Sequence, residues 1–263
     1  MIVQTGRWLD LLFFIVILAS TYYFIDRAGK GKSLPKIRAI PAIEAIEEGV
    51  DRAVETDKLV HFASGASGGQ LSSQYLAQTL ASLECLKYTA QLCARKGAKL
   101  SVTCPTRPES LPLIEAVVRD AYRAEGKPEA FNRDMIKFYG SNFCAYCQGV
   151  SGYLAREGCA ANINIGAWHT DCLVILGAAK DYGAINIGGT ARWIMMYAFG
   201  MFADYMLVSG EIFAAGALVS ANPVMKSGVA AEDIGKFVSI ALTLLVAIVA
   251  AAWRPIISLI LEA

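Results

Sequence analysis

The chain reads as an α/β protein: a Rossmann-like, mostly parallel sheet with helices on both faces, flanked by N- and C-terminal transmembrane helices. Three observations predict it. Ile163-Asn164-Ile165-Gly166 recurs 22 residues later as Ile185-Asn186-Ile187-Gly188, with one apolar segment of helix length between the copies. Parallel neighbouring strands need such a crossover, of roughly a dozen residues or more. The same order of apolar stretch, Gly-containing turn and helical stretch repeats through the middle of the chain. Finally, apolar runs stand at both ends of a chain that is 55% hydrophobic, with a mean hydropathy of +0.43, above the norm for a soluble domain.

The ends come first. Trp8–Phe24 is apolar but for Asp10, and about 17 residues is the short limit for a spanning helix. A cleaved signal peptide would use Leu11–Ala19 as its apolar core. Thr21-Tyr22-Tyr23-Phe24-Ile25 instead carries the run into an aromatic belt, which favours a retained anchor. Phe237–Trp253 is a second run without charge; beyond Arg254-Pro255 a kinked helix or a short interfacial segment follows. The basic residues Arg27, Lys30, Lys32, Lys36 and Arg38 follow the first run, with only Arg7 before it, and Lys226 and Lys236 precede the second. Positive charge stays inside, so the expectation is an inner (cell) membrane protein with a cytoplasmic main domain and both termini outside. The boundaries are an anchor at 1–28, a basic linker at 29–40 that meets lipid headgroups, an α/β domain at 41–222, a linker at 223–236 and a transmembrane helix at 237–263.

Within the domain, Pro41 opens an amphipathic helix with Ile43, Ile46, Val50 and Val54 on one face. Leu59–Ala63 is the first strand. The Gly- and Ser-rich turn after it, with Ser64, Gly65 and Gly68, leads into a long helix and presents backbone N–H groups suited to an anion. It lacks the Lys of a phosphate loop and the spacing of a dinucleotide fingerprint; a plain turn is the plainer reading. Lys99–Cys104 is the second strand, ending at Thr106 and Arg107, where a guanidinium meets acidic ligands or, more commonly, solvent.

Met135–Tyr139 is the third strand, ending at Ser141 and Asn142. Cys144-Ala145-Tyr146-Cys147 follows at a helix start, the placement of a thioredoxin-like redox pair; buried Cys in an apolar helix is the commoner explanation. Ala161–Ile165 is the fourth strand, followed by His169 and Asp171. His is the usual general acid or base, yet no elbow Ser or second carboxylate accompanies it. His61 reads as a satisfied core residue. The fifth strand ends at Gly189 and Thr190. Trp193–Val219 carries only Asp204 and Glu211 as charges, and divides into a helix to about Phe202, a strand Tyr205–Val208, a turn, and a helix Glu211–Val219. Carboxylates at membrane depth are costly, so this stretch is placed in the domain.

A net charge of +1 gives no basic signal for nucleic acid. Seven scattered cysteines do not form a disulfide framework and fit reduced thiols. No catalytic set and no metal-ligand set stands out, and no cofactor is identified.

Ile40-Pro41-Ala42-Ile43-Glu44-Ala45-Ile46, Val60-His61-Phe62 and Glu211-Ile212-Phe213-Ala214-Ala215-Gly216-Ala217 resemble an uncharacterised family of prokaryotic membrane proteins. The resemblance implies an α/β domain with terminal spans. That family has no assigned activity, so no catalytic residue carries over. The expected function is a membrane-anchored scaffold or accessory subunit that oligomerises or joins a larger membrane complex. The alternative is a nucleotide or small-molecule sensor using the strand carboxyl ends: Ser64, Gly65, Gly68, Thr106, Arg107, Ser141, Asn142, His169, Gly189, Thr190 and Glu211. A thiol-redox enzyme through Cys144 and Cys147 is the third reading.

Overall fold

A computed structural model describes residues 8–65, 72–220 and 222–261. The chain divides into two compact units, Ile37–Ala221 and Met1–Lys36 with Asn222–Ala263.

The first unit is a six-stranded, wholly parallel sheet. Its strands are β1 (Leu59–Ala63), β2 (Lys99–Thr103), β3 (Ile136–Lys137), β4 (Cys159–Ile165), β5 (Ile185–Thr190) and β6 (Tyr205–Val208), in the order β3-β2-β1-β4-β5-β6. The helices are α2 (Pro41–Thr56), α3 (Leu76–Lys96), α4 (Leu111–Ala124), α5 (Phe143–Glu157), α6 (Asp171–Asp181), α7 (Met196–Phe202) and α8 (Glu211–Val219). After β3 the chain returns through α5 to the other side of β1. The strand order reverses between β1 and β4, which is where open α/β sheets bind ligands.

β3 is shorter than the sequence suggests. Asn132 accepts a hydrogen bond from Asp134 N and caps a 3-10 turn at Arg133–Met135, delaying the strand. β4 starts earlier than expected, at Cys159, and its register against β1 slips by one residue at its start. Such a bulge changes which side chains face which way.

The two faces of the sheet differ in chemistry. Successive strand residues point to opposite sides. Val60, Phe62, Leu100, Val102, Ala161, Ile163, Ile165, Ile187 and Leu207 form an apolar face packed against α2, α3, α4 and α8. Ile43, Ile46 and Val50 of α2 are buried there, while Glu44, Glu47 and Glu48 are exposed. The opposite face carries His61, Ser101, Thr103, Asn162, Asn164, Asn186 and Thr190, none more than 2% exposed. An apolar layer from α5, α6 and α7 (Tyr146, Val150, Leu154, Ile175, Leu176, Ala198 and Phe199) buries it.

The second unit is a pair of helices, α1 (Trp8–Gly29) and α9 (Pro223–Leu261). Ser227 Oγ donates to Phe24 O at 3.1 Å, and Gly235 lies beside Ile17 and Phe13, so the two run antiparallel. Phe24, Ala230 and Ala231 form a small core with Leu34 and Ile234. An apolar groove of about 650 Å³ opens between the helices, lined by Phe13, Ile17, Thr21 and Gly228, among others. Among the described residues one segment, Leu11–Gly29, is long and apolar enough to cross a membrane. Residues 223–236, expected as a linker, are helical and continuous with the 237–253 run; Pro255 does not end the helix.

Candidate functional site at the carboxyl edge of the sheet

The polar face carries a directional hydrogen-bonded relay. His61 Nδ1 lies 2.6 Å from Asn162 Oδ1, and its Nε2 lies 3.0 Å from Thr103 Oγ1. Asn162 Nδ2 donates to Asn186 Oδ1 at 2.7 Å, and Asn186 Nδ2 donates to Leu176 O and Phe202 O. With Asn162 Oδ1 as acceptor, the His61 proton sits on Nδ1, and Nε2 accepts from Thr103. Thr103 Oγ1 in turn lies 3.4 Å from Tyr146 Oη. Burial pushes the His61 pKa down to about 4, against a smaller upward pull from its bond to Asn162, so the imidazole is neutral. The relay joins β2, β1, β4 and β5 to the middle of α6 at Leu176 and the end of α7 at Phe202. Asn162 and Asn186 are register partners, which is why the repeated Ile-Asn-Ile motif builds one ladder.

At the reversal point, the loops after β1 and β4 meet. Gly65 has φ +90° and Gly166 φ +144°, and a Cβ on either would overlap backbone of the other loop, at Ala167 and Ser64 respectively. Nearby, Arg192 ties three segments together. Its guanidinium donates to His169 Nε2 at 2.5 Å and lies 4.8 Å over the Tyr75 ring. Gln78 Oε1 accepts from Ala191 N at 3.2 Å. Burial, then the Arg192 charge, lowers the His169 pKa, which leaves the ring neutral and able to accept from the guanidinium. Asp171 is buried at the start of α6 and accepts from His169 N at 2.7 Å, fixing this turn.

The residues expected at this edge spread along it. Ser64 and Gly65 lie at the reversal point, with His169 and Thr190 near it. Gly68 lies outside the described residues. Gly189 and Thr190 are the last residues of β5. Thr106 and exposed Arg107 follow β2. Asn142 caps α5 by accepting from Cys144 N at 2.8 Å, and Ser141 beside it is exposed. Glu211 follows β6, accepts from Val208 N and pairs with Arg38. β3 and β6 are the outermost strands, roughly 24 Å apart at about 4.8 Å per strand, so the set does not make one pocket. Cys144 is exposed and Cys147 buried. Burial, with a smaller contribution from Asp171, pushes Cys147 up to about 11, away from the thiolate that exchange requires. Among the described residues no three His, Cys, Asp or Glu side chains gather as a metal site.

Asn164, Asn186, Trp168, Arg192 and Gln78 were not singled out as site residues in the sequence. The alternation Ala161-Asn162-Ile163-Asn164-Ile165 was the available signal, since a strand covered on both faces ordinarily reads as continuously apolar.

Strand order, the reversal between β1 and β4 and helices on both faces define the α/β unit as a Rossmann-like, doubly wound domain. The chain belongs to the family described as a domain of unknown function (DUF6754), whose model matches residues 1–259. This agrees with the expected membership of an uncharacterised family. No curated protein and no solved structure matches it.

Proposed function

We infer that the chain is a membrane-anchored docking subunit: a Rossmann-like domain, tethered through α1 and α9, that oligomerises or holds another subunit of a membrane complex. The observation that carries this reading is an uncharged apolar stripe on α7 and the 3-10 turn before it. Trp193, Tyr197 and Met201 recur at helical spacing and are 77%, 51% and 63% exposed, and Ile194 beside them is 47% exposed. No Asp, Glu, Lys, Arg or His falls in Trp193–Ala203. Aromatic and Met side chains are enriched at interface centres and charges depleted, and soluble surfaces rarely gather such residues without a partner. The Leu11–Gly29 helix supports the anchor. In this reading the domain lies in the cytoplasm and the anchor in the inner membrane.

The test is the particle mass and composition of the protein extracted gently from its native membrane. Trp193→Ser, Tyr197→Ser and Met201→Ser together are expected to reduce a discrete assembly to the monomer while leaving the circular dichroism spectrum unchanged. A wild-type protein that is monomeric at micromolar concentration, with nothing co-purifying, sinks the reading.

A further inference from the structure

The groove between α1 and α9 has a direction. Its volume, about 650 Å³, falls within the roughly 300–1,000 Å³ of ligand pockets. One end is walled by Phe13 and by Ile240, which belongs to the uncharged run that begins at Phe237. Stepping back along α9 by one turn of about four residues at a time, the wall carries Lys236, then Glu232, then Gly228. Lys236 Nζ pairs with Glu232 Oε1 at 3.1 Å and with Asp233 Oδ1 at 3.4 Å. The apolar end thus leads into one charge of each sign. Gly228 closes the series. A glycine inside a helix is destabilising relative to alanine. Among the described residues neither packing nor a left-handed backbone calls for glycine here, since a Cβ would meet nothing within 4 Å. Its effect is to keep the groove open beyond Glu232.

We propose that the groove holds a phospholipid with a zwitterionic, primary-amine head, the chemistry of phosphatidylethanolamine. The proposal rests on the anchor reading of α1 and α9. The order of groups along α9 is the order of groups along such a lipid. An acyl chain lies against Phe13, Ile17 and Ile240, the phosphate meets Lys236, the ammonium meets Glu232, and the space over Gly228 takes the end of the head. An ammonium donates charge-assisted hydrogen bonds to a carboxylate. A trimethylammonium head has no N–H to donate. An anionic head without an amine brings its charge to a lysine that already faces two carboxylates. A third helix seated in the groove would cover the Glu232–Lys236 pair, whereas the centres of protein interfaces are depleted in charge.

The experiment uses the full chain in mild detergent with an equimolar mixture of phosphatidylethanolamine, phosphatidylcholine and phosphatidylglycerol of matched acyl chains, and counts bound lipid by native mass spectrometry. The wild type is expected to retain phosphatidylethanolamine with about tenfold preference over the other two, the size of one charge-assisted hydrogen bond. Glu232→Gln, in which Lys236 keeps Asp233, levels the three lipids. Gly228→Leu fills the space beside the head and loses the preference, while the helix is kept because leucine is the better helix former. Equal retention by the wild type, a preference for phosphatidylglycerol or no retained lipid overturns the proposal, as does a preference unchanged in either variant. Alkaline carbonate treatment of the native membrane separates this outcome from the fate of the anchor. A chain that carbonate releases ends the anchor reading and the lipid site together; a chain that stays in the membrane and shows no lipid preference ends the lipid site alone.

Discussion

His61 sits at the centre of the sheet with both ring nitrogens engaged, and its surroundings make its protonation a stability term. The folded imidazole holds its proton only below about pH 4, against an ordinary value of 6.5. Below pH 6.5 the unfolded chain therefore takes up a proton that the folded chain refuses. The stabilisation is complete above pH 6.5 and is lost as the pH falls towards 4, amounting to about 3 kcal/mol across the window at roughly 1.4 kcal/mol per pH unit. A pH series of thermal midpoints from 7.5 to about 4 is expected to show this fall in the wild type and a shallower one in His61→Leu. The variant is also less stable at pH 7.5, by about 2–4 kcal/mol, because Asn162 and Thr103 lose their partner inside the fold; identical slopes would remove His61 from the effect. At this scale the candidate site was only partly legible. The strand ends containing Ser64, Gly65, His169 and Thr190 were placed from Gly punctuation, which marks where strands stop. The polar relay was not, because alternating Asn and Ile looks the same whether the polar side meets water or a covering helix.

Each strand–turn–helix step here depends on one tight turn, and the turn after β4 carries the most constraint. Gly166 has a positive φ, and a side chain there would strike Ser64 O in the neighbouring loop. Gly166→Ala is expected to cost more than about 3 kcal/mol, through backbone strain and displacement of the β1 loop together. Gly200, inside α7, meets nothing within 4 Å of an added Cβ, so Gly200→Ala stabilises by about 0.5–1 kcal/mol. Paired thermal unfolding of the two variants checks both signs. The same local grammar explains why the elements were readable. Trp193–Val219 divides at the expected places, with α7 ending at Phe202, β6 at Tyr205–Val208 and α8 at Glu211–Val219. Strand order was not readable. It is set by where α5 lands after β3, a long-range packing choice that leaves no periodic trace. The helical 223–236 stretch was missed because its charged residues, Lys226, Glu232, Asp233 and Lys236, resemble a solvated linker when the neighbouring helix is out of view.

At the scale of the whole molecule, the proposed membrane anchor implies a side for the α/β unit. α1 and α9 pair antiparallel, with Ile17 beside Gly235 and Phe24 beside Ser227. The middle of α1 thus lies against residues just before the uncharged run of α9, and the two apolar stretches are staggered by about 14 Å at 1.5 Å per residue. The proposed anchor, with its surplus of Lys and Arg after α1, predicts the domain on the inside. The cysteines provide the means to test this. All seven are free, and only Cys144 is exposed. A membrane-impermeant maleimide added to sealed, right-side-out vesicles is expected to leave the protein unlabelled until detergent opens them. One label then appears, and Cys144→Ser abolishes it. Labelling in sealed vesicles would put the domain outside, and the orientation drawn from the basic residues and the free thiols would fail together.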